Sequence, residues 1–114
     1  MDAEIPPARV QELLAGDERV AVVDVRSPAA FRRGHVPDSV NVPFPRLAER
    51  VDEFADADRV VTVCPHGKSS VRAARLVASH EALDAAVYSM AGGLEAWDGE
   101  LDRENGGEAL DAPF

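Results

Sequence analysis

Short runs of β-branched residues recur along the chain, and segments with helical spacing separate them. The runs cover residues 20–25, 40–42, 60–63 and 87–89. The first and third consist almost entirely of valine and alanine, which is typical of central strands buried on both faces. We therefore predict four strands from these runs.

The segments between the strands carry helix signals. Prolines at the start and a glycine beyond the end mark the first of them, and Ser27 is placed to cap the second. Ser69 or Ser70 is expected to cap the fourth, with residues 71, 74, 77 and 78 on its buried face. We predict a helix that opens at residues 6–7 and ends at Gly16, and further helices over residues 28–33, 45–54, 71–80 and 94–97. Strands that alternate with helices predict an α/β fold around a mostly parallel sheet.

The domain organisation follows from length and from a change in composition near the end of the chain. The length of 114 residues suits one domain. Residues 99–114 are polar, acidic and glycine-containing, so we expect a loosely ordered tail there. A single domain is expected over residues 1–98.

The charge balance narrows the classes of partner. The chain has 21 acidic and 12 basic side chains, a formal net charge of −9. A surface this acidic repels phosphate backbones and anionic membranes, so binding to nucleic acid or to a membrane is not expected. All but one of the basic residues are arginines, the exception being Lys68. Simple solubility and adaptation to high salt both account for the acidic excess, and composition leaves them open.

The cysteine count and the apolar runs bear on the compartment. A single cysteine, Cys64, excludes an intramolecular disulfide. No apolar run approaches the ~20 residues that a membrane span needs. The acidic, short and polar N-terminus is unlike a signal peptide. We therefore expect a cytoplasmic protein.

Carboxylates are unevenly distributed along the chain. Residues 59–80 contain no acidic side chain but include four cations, and residues 25–37 are likewise free of acids. An acidic protein has reason to keep carboxylates away from an anion site. These two stretches are therefore candidates for the surroundings of such a site.

The candidate chemistry lies in the longer acid-free stretch. Cys64 directly follows a predicted central strand and precedes a predicted helix, which is where ligands bind in parallel α/β folds. Backbone N–H groups of the loop and of the first helical turn can converge on an anion or on the sulfur. Gly67 allows a positive φ or a close backbone approach, and Lys68 adds a positive charge. Such surroundings lower the pKa of a thiol and favour a reactive thiolate.

Other interpretations of these residues remain open at this level. A lone cysteine is often a buried and inert core residue. Cys64 and His66 with His35 or His80 would offer a metal site, but they lack the paired spacing of zinc ligands, and we expect no metal. His66 has three possible roles: polarising a substrate, contacting an acceptor, or facing solvent.

Four segments in order along the chain carry recognisable motifs. Residues 23–31 contain an Asp-x-Arg turn before a predicted helix, and residues 34–43 read Gly-His-Val-Pro-Asp-Ser-Val-Asn-Val-Pro. Residues 64–70 read Cys-Pro-His-Gly-Lys-Ser-Ser, and residues 92–97 read Gly-Gly-Leu-Glu-Ala-Trp. Together these segments resemble the rhodanese family, with its Asp-x-Arg turn, its Gly-His-Ile-Pro-Gly-Ala-x-Asn-x-Pro segment and its Gly-Gly-x-x-x-Trp ending. The cysteine loop matches the Cys-x-x-Gly-x-Ser-Ser variant found in small single-domain thiosulfate sulfurtransferases. Short motifs match by chance, but four in order are a strong signal.

The resemblance implies a three-layer α/β fold, with a five-stranded, mostly parallel sheet flanked by helices and a first strand compressed into residues 3–5. It also implies a sulfurtransferase in which Cys64 takes sulfur from thiosulfate or another donor and carries it as a persulfide. The implied acceptor is a thiol, a cyanide-like molecule, or a thioredoxin-like or sulfur-carrier protein, and no cofactor is needed. Substrate-binding roles fall on Pro65, His66, Gly67, Lys68, Ser69 and Ser70, and supporting roles on Asp24 and Arg26.

The cysteine loop departs from the commonest family pattern at one position. Many family members have arginine where this chain has Ser69, and Lys68 supplies a point charge in place of a bidentate fork.

Two further functions compete with that of a sulfurtransferase. A phosphatase or arsenate reductase on a related fold would need arginine six residues after the cysteine, where Ser70 stands. A persulfide carrier would differ from the enzyme only in its acceptor. An inactive protein-interaction module would most simply lack the cysteine, which this chain retains.

Overall fold

Within the part of the chain that the structure describes, five strands lie parallel in one sheet. A computed structural model describes residues 3–81 and 83–103. The strands are β1 (Glu4–Ile5), β2 (Val20–Asp24), β3 (Val40–Asn41), β4 (Arg59–Val63) and β5 (Ala86–Met90). Their order is β1-β5-β4-β2-β3, and every neighbouring pair is parallel. The predicted five-stranded sheet is confirmed, and β4, the strand that ends at the cysteine, lies at its centre.

Of the four α-helices in the described residues, the first and third are shorter than predicted, the second matches the prediction, and the fourth has the predicted length but begins two residues earlier. They are α1 (Pro7–Leu14), α2 (Pro28–Arg33), α3 (Leu47–Arg50) and α4 (Ser69–Ala78). In α2 the Ser27 side chain accepts a hydrogen bond from the backbone N–H of Ala30, as expected of an N-cap. Within the described residues, no helix combines the length and apolar character needed to cross a membrane.

Two apolar clusters cover the two faces of the sheet. Val23 and Val60 face a cluster that includes residues of α3 and α4, whereas Val22 and Val61 face one that includes Val10 of α1. Successive strand residues point to opposite faces, so burial on both sides needs the continuous valine runs seen in β2 and β4. This arrangement confirms the three-layer α/β architecture.

The predicted single helix over residues 45–54 is wrong. The chain forms a 3₁₀ turn at Phe44–Arg46, then α3, then a second 3₁₀ turn at Val51–Phe54. Leu47, Val51 and Phe54 are nevertheless all buried. Apolar spacing determines which side chains face the core, and single turns of 3₁₀ and α-helix meet that requirement equally well. The predicted helix at 94–97 is likewise a 3₁₀ turn, Leu94–Ala96.

The predicted cap of the fourth helix is wrong, and its predicted buried face is right only at Ala74 and Val77. Lys68 is the N-cap of α4 and makes no side-chain capping bond, while both serines lie inside the helix. The buried positions are 70, 73, 74 and 77, and Ala78 is exposed. The buried face includes Ser70, whose side chain has a buried polar partner, described below.

The start of the predicted tail is attached to the domain. Asp102 and His35 form an antiparallel bridge with two backbone hydrogen bonds of 2.9 Å. The Arg103 guanidinium donates to the Arg33 carbonyl oxygen at 3.0 Å. The remainder of the predicted tail, from residue 104 onward, lies outside the described residues, so the division at residue 98 stays a prediction.

Candidate active site

The Cys64 sulfur lies in a pocket of hydrogen-bond donors at the carboxyl end of β4. The side chain is 2% exposed. Its Sγ accepts hydrogen bonds from the backbone N–H groups of Gly67, at 3.0 Å, and of Ser70, at 3.2 Å. Both donors belong to the loop and first turn of α4, where backbone N–H groups have no partner within the helix. The predicted convergence of loop N–H groups on the sulfur is therefore present.

A buried hydroxyl pair extends from the sulfur to the neighbouring strand. Ser70 Oγ lies 3.2 Å from Cys64 Sγ and 2.7 Å from Ser89 Oγ. The thiol donates to Ser70 Oγ, and after deprotonation the Ser70 hydroxyl can donate to the sulfur. Ser70 was expected near substrate and instead contacts the sulfur itself, whereas Ser89 of β5 was not predicted. The local sequence hints at a role for Ser89 in one way: it is a small polar residue within the otherwise apolar run 87–90.

These contacts change the acidity of the thiol. Burial raises the pKa of Cys64, but hydrogen bonds from the Ser70 hydroxyl and from the backbone N–H groups of Ser70, Gly67 and His66 lower it more. The net result is a pKa below the ordinary value for cysteine. A thiolate is the nucleophilic form of cysteine, so the geometry favours a reactive sulfur over an inert core residue.

Glycine is required at two places where the loop meets a second turn. Gly67 has φ +88°, and a Cβ there would lie 2.9 Å from the Gly92 nitrogen. Gly93 has φ +67°, and its Cβ would overlap the Cys64 carbonyl oxygen and lie 2.5 Å from the Gly67 nitrogen. The positive φ predicted for Gly67 is confirmed. The close approach of residues 92–93 was not expected, because nothing local connects the two segments.

Backbone hydrogen bonds fasten this second turn to the cysteine loop. The Leu94 N–H donates to the Cys64 carbonyl oxygen at 2.7 Å, and the Glu95 N–H donates to the Pro65 carbonyl oxygen at 3.1 Å. The two sequence motifs therefore form one structural unit. Pro65 itself is exposed, and Ser69, the first residue of α4, is partly exposed.

The charges around the loop differ from the expected acid-free environment. Lys68 is exposed, and no ion pair joins it to another described residue. His66 Nδ1, however, lies 3.1 Å from Glu95 Oε1, which places a carboxylate at the loop. Arg59, counted with the acid-free stretch, begins β4 at the opposite end of the sheet and pairs with Glu18. The acid-free stretch in sequence is therefore not an acid-free region in space.

Asp24 and Arg26 form a buried ion pair at the end of β2. The Arg26 guanidinium donates to both Asp24 carboxylate oxygens and, at 2.6 Å, to the Gly34 carbonyl oxygen. The Asn41 side-chain amide donates to the backbone carbonyl oxygens of Asp24 and Arg26. Asp24 pairs with Val63 in the sheet, and Val63 is the residue immediately before Cys64. These contacts brace the loops next to the site.

The geometry of the described residues supports neither a metal site nor phosphatase chemistry. Among the described residues, no group of three or more His, Cys, Asp or Glu side chains is placed to hold a metal ion. His35 stacks on Phe31, with its Nδ1 2.7 Å from the Phe31 carbonyl oxygen. Arg72, the nearest arginine after the cysteine, has its guanidinium carbon 5.5 Å from the Phe44 ring centre. A phosphatase needs that guanidinium as a clamp on the oxyanion.

Known proteins share both the sequence and the fold. Thiosulfate sulfurtransferase GlpE of Pseudomonas syringae pv. syringae is 42% identical over 94 residues, which cover 82% of this chain and 84% of the relative. A thiosulfate sulfurtransferase from Pseudomonas aeruginosa superposes with a TM-score of 0.80 at 21% identity, over 96% of this chain but 20% of its own. A rhodanese-related protein from Thermoplasma volcanium gives 0.75 at 23% identity, over 88% and 97% of the two chains. The model of the rhodanese-like domain matches residues 6–100, and the chain belongs to that family.

Proposed function

We propose that this protein is a sulfurtransferase that takes the outer sulfur of thiosulfate onto Cys64 and passes it to a thiophilic acceptor. The observation that carries the proposal is the donor set around one sulfur: two backbone N–H groups and the Ser70 hydroxyl, all within 3.2 Å of Sγ. The relative at 42% identity is named a thiosulfate sulfurtransferase, which supports the choice of donor.

In the first step, the Cys64 thiolate attacks the outer sulfur of thiosulfate. The sulfur–sulfur bond of thiosulfate breaks, and its electron pair leaves with sulfite. The product is a persulfide anion on Cys64. The total charge is the same before and after the step, because a thiolate and thiosulfate give a persulfide anion and sulfite. The loop N–H groups that hold Sγ are placed to hold the developing charge, and Lys68 supplies a positive charge for the sulfonate oxygens.

In the second step, an acceptor nucleophile attacks the terminal sulfur of the persulfide. The bond between the two sulfurs breaks, and its electron pair stays on Cys64 Sγ as the thiolate. The same donors then stabilise the leaving thiolate, because they already lower the pKa of Cys64. Both steps balance with donor, cysteine and acceptor alone, so the proposed cycle calls for no metal or organic cofactor.

The remaining site residues take roles that follow from their positions. Pro65, His66, Gly67, Lys68 and Ser69 form the rim and floor through which substrate reaches the sulfur, and Ser70 contacts the sulfur. Asp24 and Arg26 support the neighbouring loops. A thiol, cyanide, or a thioredoxin-like or sulfur-carrier protein would serve as acceptor. A lone reactive thiol suits a reducing compartment, and we therefore place the protein in the cytoplasm.

The direct test is the intact mass after incubation with thiosulfate. The wild-type mass should rise by one sulfur atom, and cyanide should remove that sulfur again. Cys64→Ser should show neither change, and Ser79→Ala should behave as wild type because Ser79 lies at the other end of α4, where its hydroxyl donates to the Leu76 carbonyl oxygen. A folded wild-type protein whose mass stays constant in both low and high salt would refute the proposal. Persulfide formation without turnover toward any small acceptor would instead favour a carrier.

A further inference from the structure

Glu95 is held against the cysteine loop by backbone contacts. Its N–H donates to the Pro65 carbonyl oxygen, and the preceding N–H of Leu94 donates to the carbonyl oxygen of Cys64. The adjacent Gly93 packs too closely on the loop for any side chain. The backbone of Glu95 therefore cannot move away from the reactive sulfur without breaking the loop contacts.

The carboxylate of Glu95 remains open to an incoming molecule. Its side chain is 73% exposed, and the partner it has among the described residues is the His66 imidazole, at 3.1 Å. Lys68, on the same loop, is also exposed. The entrance to Cys64 thus carries one fixed negative and one positive group.

From this arrangement we infer that Glu95 is a specificity-determining residue that selects the sulfur acceptor by charge. It favours a thiol flanked by a cationic group, such as an amine or guanidinium, and disfavours a thiol flanked by a carboxylate. The inference rests on the proposed function, because it concerns the second step of that cycle. The charge acts through solvent on a molecule bound at the cysteine loop, where the screening length is ~10 Å at 0.1 M salt and ~3 Å at 1 M.

The step affected is the transfer from the persulfide to an acceptor thiolate. The thiolate sulfur attacks the terminal sulfur, a new sulfur–sulfur bond forms, and the Cys64 thiolate is released. No electrons enter or leave the system. Glu95 touches none of these atoms and acts through the charged group that the acceptor carries beside its thiol.

The test uses three small thiols that differ in charge: cysteamine, 2-mercaptoethanol and 3-mercaptopropionate. The full-length protein is loaded with thiosulfate and freed of excess donor, and the loss of the persulfide is followed at about pH 8, where imidazoles are ordinarily neutral. Wild type, Glu95→Gln and Glu95→Lys are compared. The matched control is Asp98→Asn, which removes a carboxylate that contacts Gln11 of α1. Dividing each variant's rate by the wild-type rate cancels the intrinsic reactivity of each thiol.

In low salt, Glu95→Gln should slow transfer to cysteamine about threefold to tenfold, speed transfer to 3-mercaptopropionate by a similar factor, and leave 2-mercaptoethanol unchanged. Glu95→Lys should enlarge both effects, and about 1 M salt should remove them. Equal rate ratios for all three thiols, or the same pattern in Asp98→Asn, would overturn the inference. Failure of the wild type to form any persulfide would refute the proposed function itself, and is recognised before any acceptor is added.

Discussion

The hydroxyl oxygens of Ser70 and Ser89 lie 2.7 Å apart in the core, and the Ser70 oxygen lies 3.2 Å from the reactive sulfur. One serine belongs to α4 and the other to β5, and both are at most 1% exposed. A strand that neighbours β4 therefore fixes the orientation of a group that contacts Cys64.

Replacing Ser70 should weaken the thiolate. Ser70→Ala removes the hydroxyl donor to the sulfur, so the pKa of Cys64 should rise toward the ordinary cysteine value of ~8.5. Persulfide formation near neutral pH should fall by about tenfold for each unit by which the pKa rises, while the rate at high pH recovers. Ultraviolet titration of the thiolate checks the shift, with Ser79→Ala at the other end of α4 as control. An unchanged pH profile would contradict the role of the hydroxyl.

The same depressed pKa links folding to pH. Because the folded-state pKa of Cys64 lies below the unfolded value, its contribution to stability is full above the unfolded pKa. That contribution is lost as pH falls through the folded pKa. Wild type should therefore gain stability relative to Ser70→Ala as the pH is raised through this window. Urea unfolding of both proteins at several pH values measures the difference.

A side chain at position 93 should disrupt the site. Gly93→Ala places a Cβ against Cys64 and Gly67 backbone atoms at a positive φ, so the turn must shift off the loop. We expect a loss of about 2 kcal/mol or more in the free energy of unfolding, together with loss of persulfide formation. Gly16→Ala is the control, because its Cβ would meet no atom closer than 3.5 Å. Similar stability for both variants would show that the contact tolerates a methyl group.

Removing Arg26 should cost far more than removing an exposed arginine. Arg26→Ala leaves the Asp24 carboxylate, in a pair with side chains 10% and 1% exposed, without its cation. Such a change typically destabilises a protein by about 3–5 kcal/mol. The comparison is Arg9→Ala, whose exposed pair with Glu12 contributes about 0–1 kcal/mol. Denaturant melts that give equal values for the two variants would argue against bracing by Arg26.

Replacing Lys68 should weaken the reaction with the sulfur donor thiosulfate without lowering the stability of the fold. Lys68→Ala removes the exposed positive charge of the loop, so kcat/KM for thiosulfate should fall by about threefold to tenfold in low salt. The melting temperature should stay the same. Arg32→Ala removes an exposed charge from α2 and serves as control. Unaltered thiosulfate kinetics in Lys68→Ala would remove Lys68 from the substrate site.

The acidic composition predicts a response to salt. With a net charge of −9, screening of repulsion between carboxylates should favour the compact state. The urea midpoint should rise between about 0.1 M and 1 M potassium chloride, over which the screening length falls from ~10 Å to ~3 Å. A midpoint that is highest in dilute buffer would count against adaptation to high salt.

By itself, the sequence determined the architecture and the position of the reactive group. Continuous valine runs identify strands buried on both faces, and alternation with helices makes the sheet parallel. Cys64, followed by Gly67 and a helix, could be placed at the carboxyl end of a central strand. These inferences succeed because they depend on periodicity and backbone preference over a few residues.

Only the tertiary structure decided which distant residues complete the site. Ser89 and Glu95 reach the cysteine loop because β5 lies beside β4, and strand order depends on packing between segments far apart in the chain. Residues 45–54 likewise bury the expected side chains through a mixture of turns, since the core constrains positions but not the hydrogen-bond ladder. The stretch around Cys64 that is free of acidic residues in the sequence does not stay free of them in the folded protein. Glu95, 31 positions after Cys64, lies at the cysteine loop in contact with His66.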